Sequence, residues 1–168
     1  MRLRQAGARH FPRLWLRVGR PTPAELGLVG EALAARLLRR AGARLLGRRL
    51  RTAWGELDLV AERGEQLLIV EVKTRRIRFR GDLEHLRWRP RDAITEPQRR
   101  RLAHATERLM RSLGRDAARL ELIEVLVWVD GAIRVECLRH NLATFGSRKE
   151  VPPRRPAPDA LAAPGDRD

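Results

Sequence analysis

Gly55-Glu56-Leu57-Asp58-Leu59-Val60 and, a few residues on, Leu67-Leu68-Ile69-Val70-Glu71-Val72-Lys73 are the segments from which the fold is read. Side chains on a strand alternate between its two faces. Glu56 and Asp58 therefore share one face, and Glu71 and Lys73 share a face of the next strand. Between them Ala61 to Gln66 predicts a tight hairpin with Gly64 at its tip. Such a hairpin lets Asp58, Glu71 and Lys73 converge on one patch. The run Leu67 to Val70 has the composition of a buried central strand, where charges are expensive.

Working outward, Thr22-Pro23-Ala24-Glu25 carries the signals of a helix start: a capping hydroxyl, a proline for the first turn and a glutamate that completes a capping box. That helix is expected to run to about Arg40, before Gly42. A strand follows over Ala43 to Arg51, then a turn at Trp54-Gly55, the strands Glu56–Glu62 and Gln66–Arg75, and a polar loop over Arg76 to Asp92. A second helix is expected over Glu96 to Leu113, stopped by Gly114. Strands over Leu120–Val129 and Ala132–Leu138 complete the pattern, joined by a turn at Asp130-Gly131. The order αβββαββ predicts an α/β fold, a mixed central sheet flanked by helices. Residues 22–145 form the expected domain. Residues 1–21 are expected to be a basic, flexible arm, and residues 146–168 a Pro/Ala-rich disordered tail.

Composition narrows the function classes. The 168 residues carry a formal net charge of +15 and a pI near 11.7. A polyanionic partner is expected, with DNA first and RNA as the alternative. No apolar run approaches the ~18 residues of a membrane-spanning helix, so no membrane partner is expected. Cys137 is the single cysteine, which excludes an internal disulfide and a Cys-rich zinc site, and fits a reducing cytoplasm. Lys73 and Lys149 are the only lysines in an arginine-rich chain. A lysine beside a carboxylate here points to a required compact charge.

Two carboxylates beside an ammonium suit a Mg²⁺ ion, with Mn²⁺ as the alternative, and a phosphodiester. The competing reading is a salt-bridge ladder on a half-exposed sheet. Glu31 is a fourth candidate, because it points away from the polar face formed by Glu25, Arg36 and Arg40. Its competing reading is a helix-flank carboxylate paired with an arginine. Arg75, Arg76, Arg78, Arg80 and Arg87 follow the lysine strand, with Phe79, His85 and Trp88 interleaved, and are expected to contact phosphates while the aromatics stack on bases. His10, His85, His104 and His140 lack metal-ligand spacing and read as surface or boundary residues. Cys137 and Trp128 are expected to be packed.

This arrangement resembles the PD-(D/E)xK, restriction-endonuclease-like superfamily, whose core order is αβββαβ. More narrowly, GEALAARLLRRAGARLL (30–46), GELDLVAERGEQLLIVEVKTR (55–75) and RLELIEV (119–125) resemble the bacterial YraN family, over about Gly27 to Leu142. The resemblance implies a metal-dependent DNA endonuclease of bacterial cytoplasm, acting in repair or recombination. It places Glu31, Asp58, Glu71 and Lys73 at the active-site positions, with the three carboxylates as metal ligands and Glu56 and Arg75 as neighbours. Phe79-Arg80-Gly81 and Pro97-Gln98 stand where the family usually has Phe-Gly and Lys-Gln. The alternatives are a non-catalytic nucleic-acid-binding protein on a nuclease-like scaffold, and an RNA- or ribosome-associated basic protein.

Overall fold

The computed structural model describes residues 2–18, 21–77, 92, 94–129 and 133–146. Helices α1 (Arg2–His10), α2 (Pro12–Val18) and α3 (Pro23–Arg40) precede strands β1 (Arg44–Thr52), β2 (Gly55–Arg63) and β3 (Gln66–Ile77). Helix α4 (Glu96–Ser112) leads into β4 (Ala117–Val129) and β5 (Ile133–Gly146). The strands lie in the order β1-β2-β3-β4-β5. Three neighbouring pairs are antiparallel, and β3–β4 is parallel. A parallel pair needs a long crossover, and α4 lies in it. The expected mixed sheet with flanking helices is the fold observed.

Helix α3 starts as its sequence predicts. Thr22 Oγ1 accepts from the Glu25 amide at 3.3 Å, and Glu25 Oε2 accepts from the Thr22 amide at 2.9 Å. The sheet buries both faces. Val29, Leu33, Ala34 and Leu38 of α3 pack with Leu59, Leu68, Val70, Ile123 and Val125 on one side. Leu102 and Ala105 of α4 pack with Leu57, Val60, Leu67, Ile69 and Leu120 on the other. Gly30 lets α3 approach β3 closely, because a Cβ there would overlap the Thr74 side chain.

The segment expected to be a flexible arm is folded over residues 2–18. Ala8 is fully buried and Leu16 nearly so, both in the α3-side core. Arg36 of α3 donates from Nη2 to the His10 carbonyl at 2.8 Å, satisfying the end of α1. Helices this short are marginal on their own, so α1 and α2 depend on α3 as their partner. Arg76 and Ile77, expected to open a loop, belong to β3, and residues 78–91 of that expected loop lie outside the described residues. Likewise β4 starts at Ala117, and β5 runs to Gly146 rather than ending near Leu138. Long β4–β5 pairing, rather than local pattern, sets those ends. The Asp130-Gly131 turn and the tail from Ser147 lie outside the described residues. Among the described residues no helix is long and apolar enough to cross a membrane.

Candidate active site

The site forms where β2 and β3 part. Their ladder pairs Arg63 with Gln66 at the hairpin and ends at Leu59 opposite Val70. One residue further, Asp58 replaces backbone pairing with a side-chain bond: its Oδ2 accepts from the Val72 amide at 2.8 Å. Regular alternation breaks here too. Leu57 packs into the α4-side core and Leu59 into the α3-side core, although they are two residues apart. On β1, Arg49 lies between the pairs Arg48–Leu59 and Leu50–Leu57, facing this break. Among the described residues it is the non-glycine residue with positive φ, 48°. That conformation is costly for a side-chain-bearing residue and marks local strain.

Glu71 is nearly buried, and its Oε1 accepts from Lys73 Nζ at 2.8 Å and from Gln98 Nε2 at 2.8 Å. Gln98 is set by the capping of α4, where the Thr95 hydroxyl accepts the Gln98 amide at 3.3 Å. Each carboxylate is thus held through one oxygen. Among the described residues, Asp58 Oδ1 and Glu71 Oε2 receive no hydrogen bond. Burial, then the neighbouring Glu71 charge, pushes the Asp58 carboxyl up to about 7, against the opposing effect of the Val72 amide.

Asp58, Glu71 and Lys73 are therefore brought together as their strand positions predict. Glu31 is half-buried on α3, and burial raises its pKa. The charges that act most on it are Arg49, Arg9 and Glu56, so it belongs to the β1 flank of the site. Among the described residues no three His, Cys, Asp or Glu side chains form a ready metal cluster. Two carboxylates, each with an oxygen to spare, still fit Mg²⁺, which commonly takes one or two carboxylates and keeps several waters. Arg75 and Arg76 extend from the lysine strand, Arg75 half-buried and Arg76 exposed. Arg78, Arg80 and Arg87 lie outside the described residues.

Sequence reading missed three contributors. Gln98 was noted only as standing at the family's Lys-Gln position, with no role in the site; its contact with Glu71 spans 27 residues. Arg49 donates from Nε to Glu56 Oε1 at 2.7 Å, and its backbone strain has no sequence signal. His140, read as a boundary residue, has Nε2 3.2 Å from Oε1 of the buried Glu124, off the hydrogen-bonding direction. Glu124 stands beside Lys73 in the parallel β3–β4 ladder. Cys137 is half-buried against the α3-side core, and burial raises its thiol pKa.

A five-stranded mixed sheet with helices on both faces and an Asp, Glu-x-Lys set at a strand parting places the protein in the restriction-endonuclease-like fold class. Comparison with known proteins narrows this. Residues 30–125 match the model of the uncharacterised protein family UPF0102, which is the YraN family, and the chain belongs to it. It is 35% identical to a UPF0102 protein of Symbiobacterium thermophilum over 117 residues, covering 68% of this chain and 93% of that one. It is 39% identical to a UPF0102 protein of Streptomyces coelicolor over 118 residues, covering 68% and 85%. A UPF0102 protein of Parvibaculum lavamentivorans is 41% identical over 107 residues, covering 61% and 73%.

Proposed function

We propose that the protein is a Mg²⁺-dependent endonuclease that hydrolyses phosphodiester bonds in DNA. The observation that carries this reading is the pair of half-committed carboxylates, Asp58 and Glu71, with Lys73 fastened to one of them. A bare anionic pair opposes a polyanion, so a protein that only bound DNA would gain nothing from it. Asp58 and Glu71 would hold the ion, each through the carboxylate oxygen not already hydrogen-bonded, with Glu31 at the flank. Mg²⁺, when bound, supplies charge neutralisation at the phosphate and activation of water. Lys73 orients the attacking water and offsets the charge that develops on the phosphorane oxygens. The water oxygen would bond to phosphorus, giving up a proton to solvent, as the bond to the leaving sugar oxygen breaks and that oxygen takes up a proton from solvent. Val72 and Gln98 keep the carboxylates aimed, as outer partners of metal ligands do. The arginines from Arg75 onward hold the flanking phosphates.

A second reading, a non-catalytic nucleic-acid-binding protein on this scaffold, is favoured by one observation. No third acidic side chain joins the pair among the described residues.

The two readings separate in one assay: linear, single-stranded and branched DNA incubated with Mg²⁺, Mn²⁺ or EDTA. Metal-dependent cleavage that disappears in Lys73→Ala and Asp58→Asn, with DNA binding retained, establishes the enzyme. Binding without cleavage of any substrate under either metal leaves the scaffold reading. Undiminished cleavage in both variants would place the chemistry elsewhere.

A further inference from the structure

The β1–β2 turn carries a feature that the paired carboxylates do not use. Trp54 is partly buried at the edge of the α4-side core, and two α4 side chains flank its indole. His104 meets it edge-on, with ring centroids 5.4 Å apart at 76°. The Arg108 guanidinium lies over the ring, 5.3 Å from its centroid. Both flanking residues are exposed.

The backbone beneath the indole is pinned. Thr52 Oγ1 donates to the Gly55 carbonyl at 2.7 Å and accepts from the Trp54 amide at 3.1 Å. Arg101 Nη1 donates to the Trp54 carbonyl at 3.2 Å. Gly55 has φ +115°, and a Cβ there would overlap the Arg101 guanidinium. Beside the ring opens a cleft of about 370 Å³, lined by Thr52, Trp54, Arg108, Leu109, Arg111 and Ser112. Small-ligand pockets run from about 300 to 1,000 Å³, so this one suits a single small planar group.

Position relates the cleft to the carboxylate pair. Trp54 sits in the turn four residues before Asp58, at most about 14 Å away along the chain. From Gln98, which touches Glu71, to Arg108 is ten helical residues, about 15 Å. At a stacked spacing of ~3.4 Å per nucleotide, a strand passing the pair reaches the indole about four nucleotides away.

We propose that Trp54, between His104 and Arg108, is a stacking platform for an unpaired nucleobase of a DNA strand that also crosses Asp58 and Glu71. This rests on the nuclease reading of that site and narrows its substrate to DNA with a single-stranded segment. A guanidinium and a base compete for the same π-face. Arg108 yields the indole to the base and turns to an adjacent phosphate, where its charge has the stronger partner. A paired base is already stacked on both sides and has no face to offer.

The test uses full-length protein with EDTA present, so that nothing is cut. The probes are a single-stranded oligonucleotide carrying 2-aminopurine at successive positions and the matching duplex. The expected result is quenching confined to one or two positions of the single strand. Trp54→Leu keeps apolar bulk but removes the π-face. It should abolish that quenching and weaken single-strand binding about 5- to 100-fold, the range for losing one stacked base, leaving the duplex unaffected. Equal losses on both probes, or none on the single strand, overturn the platform. If Trp54→Leu does not fold, Trp54→Met, which also keeps apolar bulk without a π-face, decides by the same comparison. The two readings fail separately. Position-specific quenching by a wild type that cuts nothing with Mg²⁺ removes the nuclease and keeps the platform. Cleavage unchanged in Trp54→Leu, with no single-strand binding defect, does the reverse.

Discussion

Gln98 and Glu71 are joined by a 2.8 Å hydrogen bond, Nε2 to Oε1, that ties the first turns of α4 to the centre of β3. The bond fixes the carboxylate plane together with Lys73. Removing it frees Glu71 to rotate without touching the charge of the site. Gln98→Ala is expected to lower Mg²⁺ or Mn²⁺ affinity about 10- to 100-fold, as loss of an outer partner does. Calorimetric titration measures it. Unchanged metal affinity would reduce Gln98 to a helix tether.

Asp58 links the site to pH. Its folded value near 7 lies above the ordinary carboxylate range, so between about pH 4 and 7 the folded state binds more protons than the unfolded state. Metal-free stability from this group is therefore full below that window and is lost as pH rises through 7. Mg²⁺ competes with the same proton, so the rise in thermal midpoint that it causes should be small at pH 6 and larger at pH 8. Midpoints in EDTA and in Mg²⁺ at pH 6, 7 and 8 test this. Asp58→Asn should flatten both trends, and a metal effect independent of pH would remove Asp58 from the ligand set.

Arg78, Arg80 and Arg87 continue the chain from the lysine strand. If each neutralises one phosphate, replacing all three with alanine lowers the slope of log affinity against log salt by about 3. Binding measured across a salt series gives the slope directly. An unaltered value makes them bystanders.

The buried Glu124 and the partly exposed His140 lie together beside Lys73. His140→Ala removes the side chain that faces this carboxylate and is expected to cost about 0.5–3 kcal/mol in urea unfolding. Adding Glu124→Gln should give a combined loss different from the sum of the two single losses, because the side chains face each other at 3.2 Å. Additive losses in the double variant would mean that the pair is not coupled.

Much of this was legible in the chain. The capping box at Thr22–Glu25, the hairpin around Gly64 and the apolar run Leu67–Val70 are local signals, because caps, turns and alternation act within a few residues. The hairpin and the alternation of β3 pointed Asp58, Glu71 and Lys73 toward one place, but the break in alternation at Leu57–Leu59 was not legible. What joined them depended on pairs distant in sequence. The Val72 amide reaches Asp58 only because β2 and β3 part after Leu59, and Gln98 reaches Glu71 only once α4 lies on the sheet. Helices α1 and α2 are too short to be stable alone and rest on α3. Trp54 meets Arg108 across more than fifty residues. Residue type and spacing determined which groups this protein owns and on which strand face they start; packing between elements decided which oxygens stay free, which strain is held at Arg49, and what stands beside the site, because those depend on contacts no local pattern encodes.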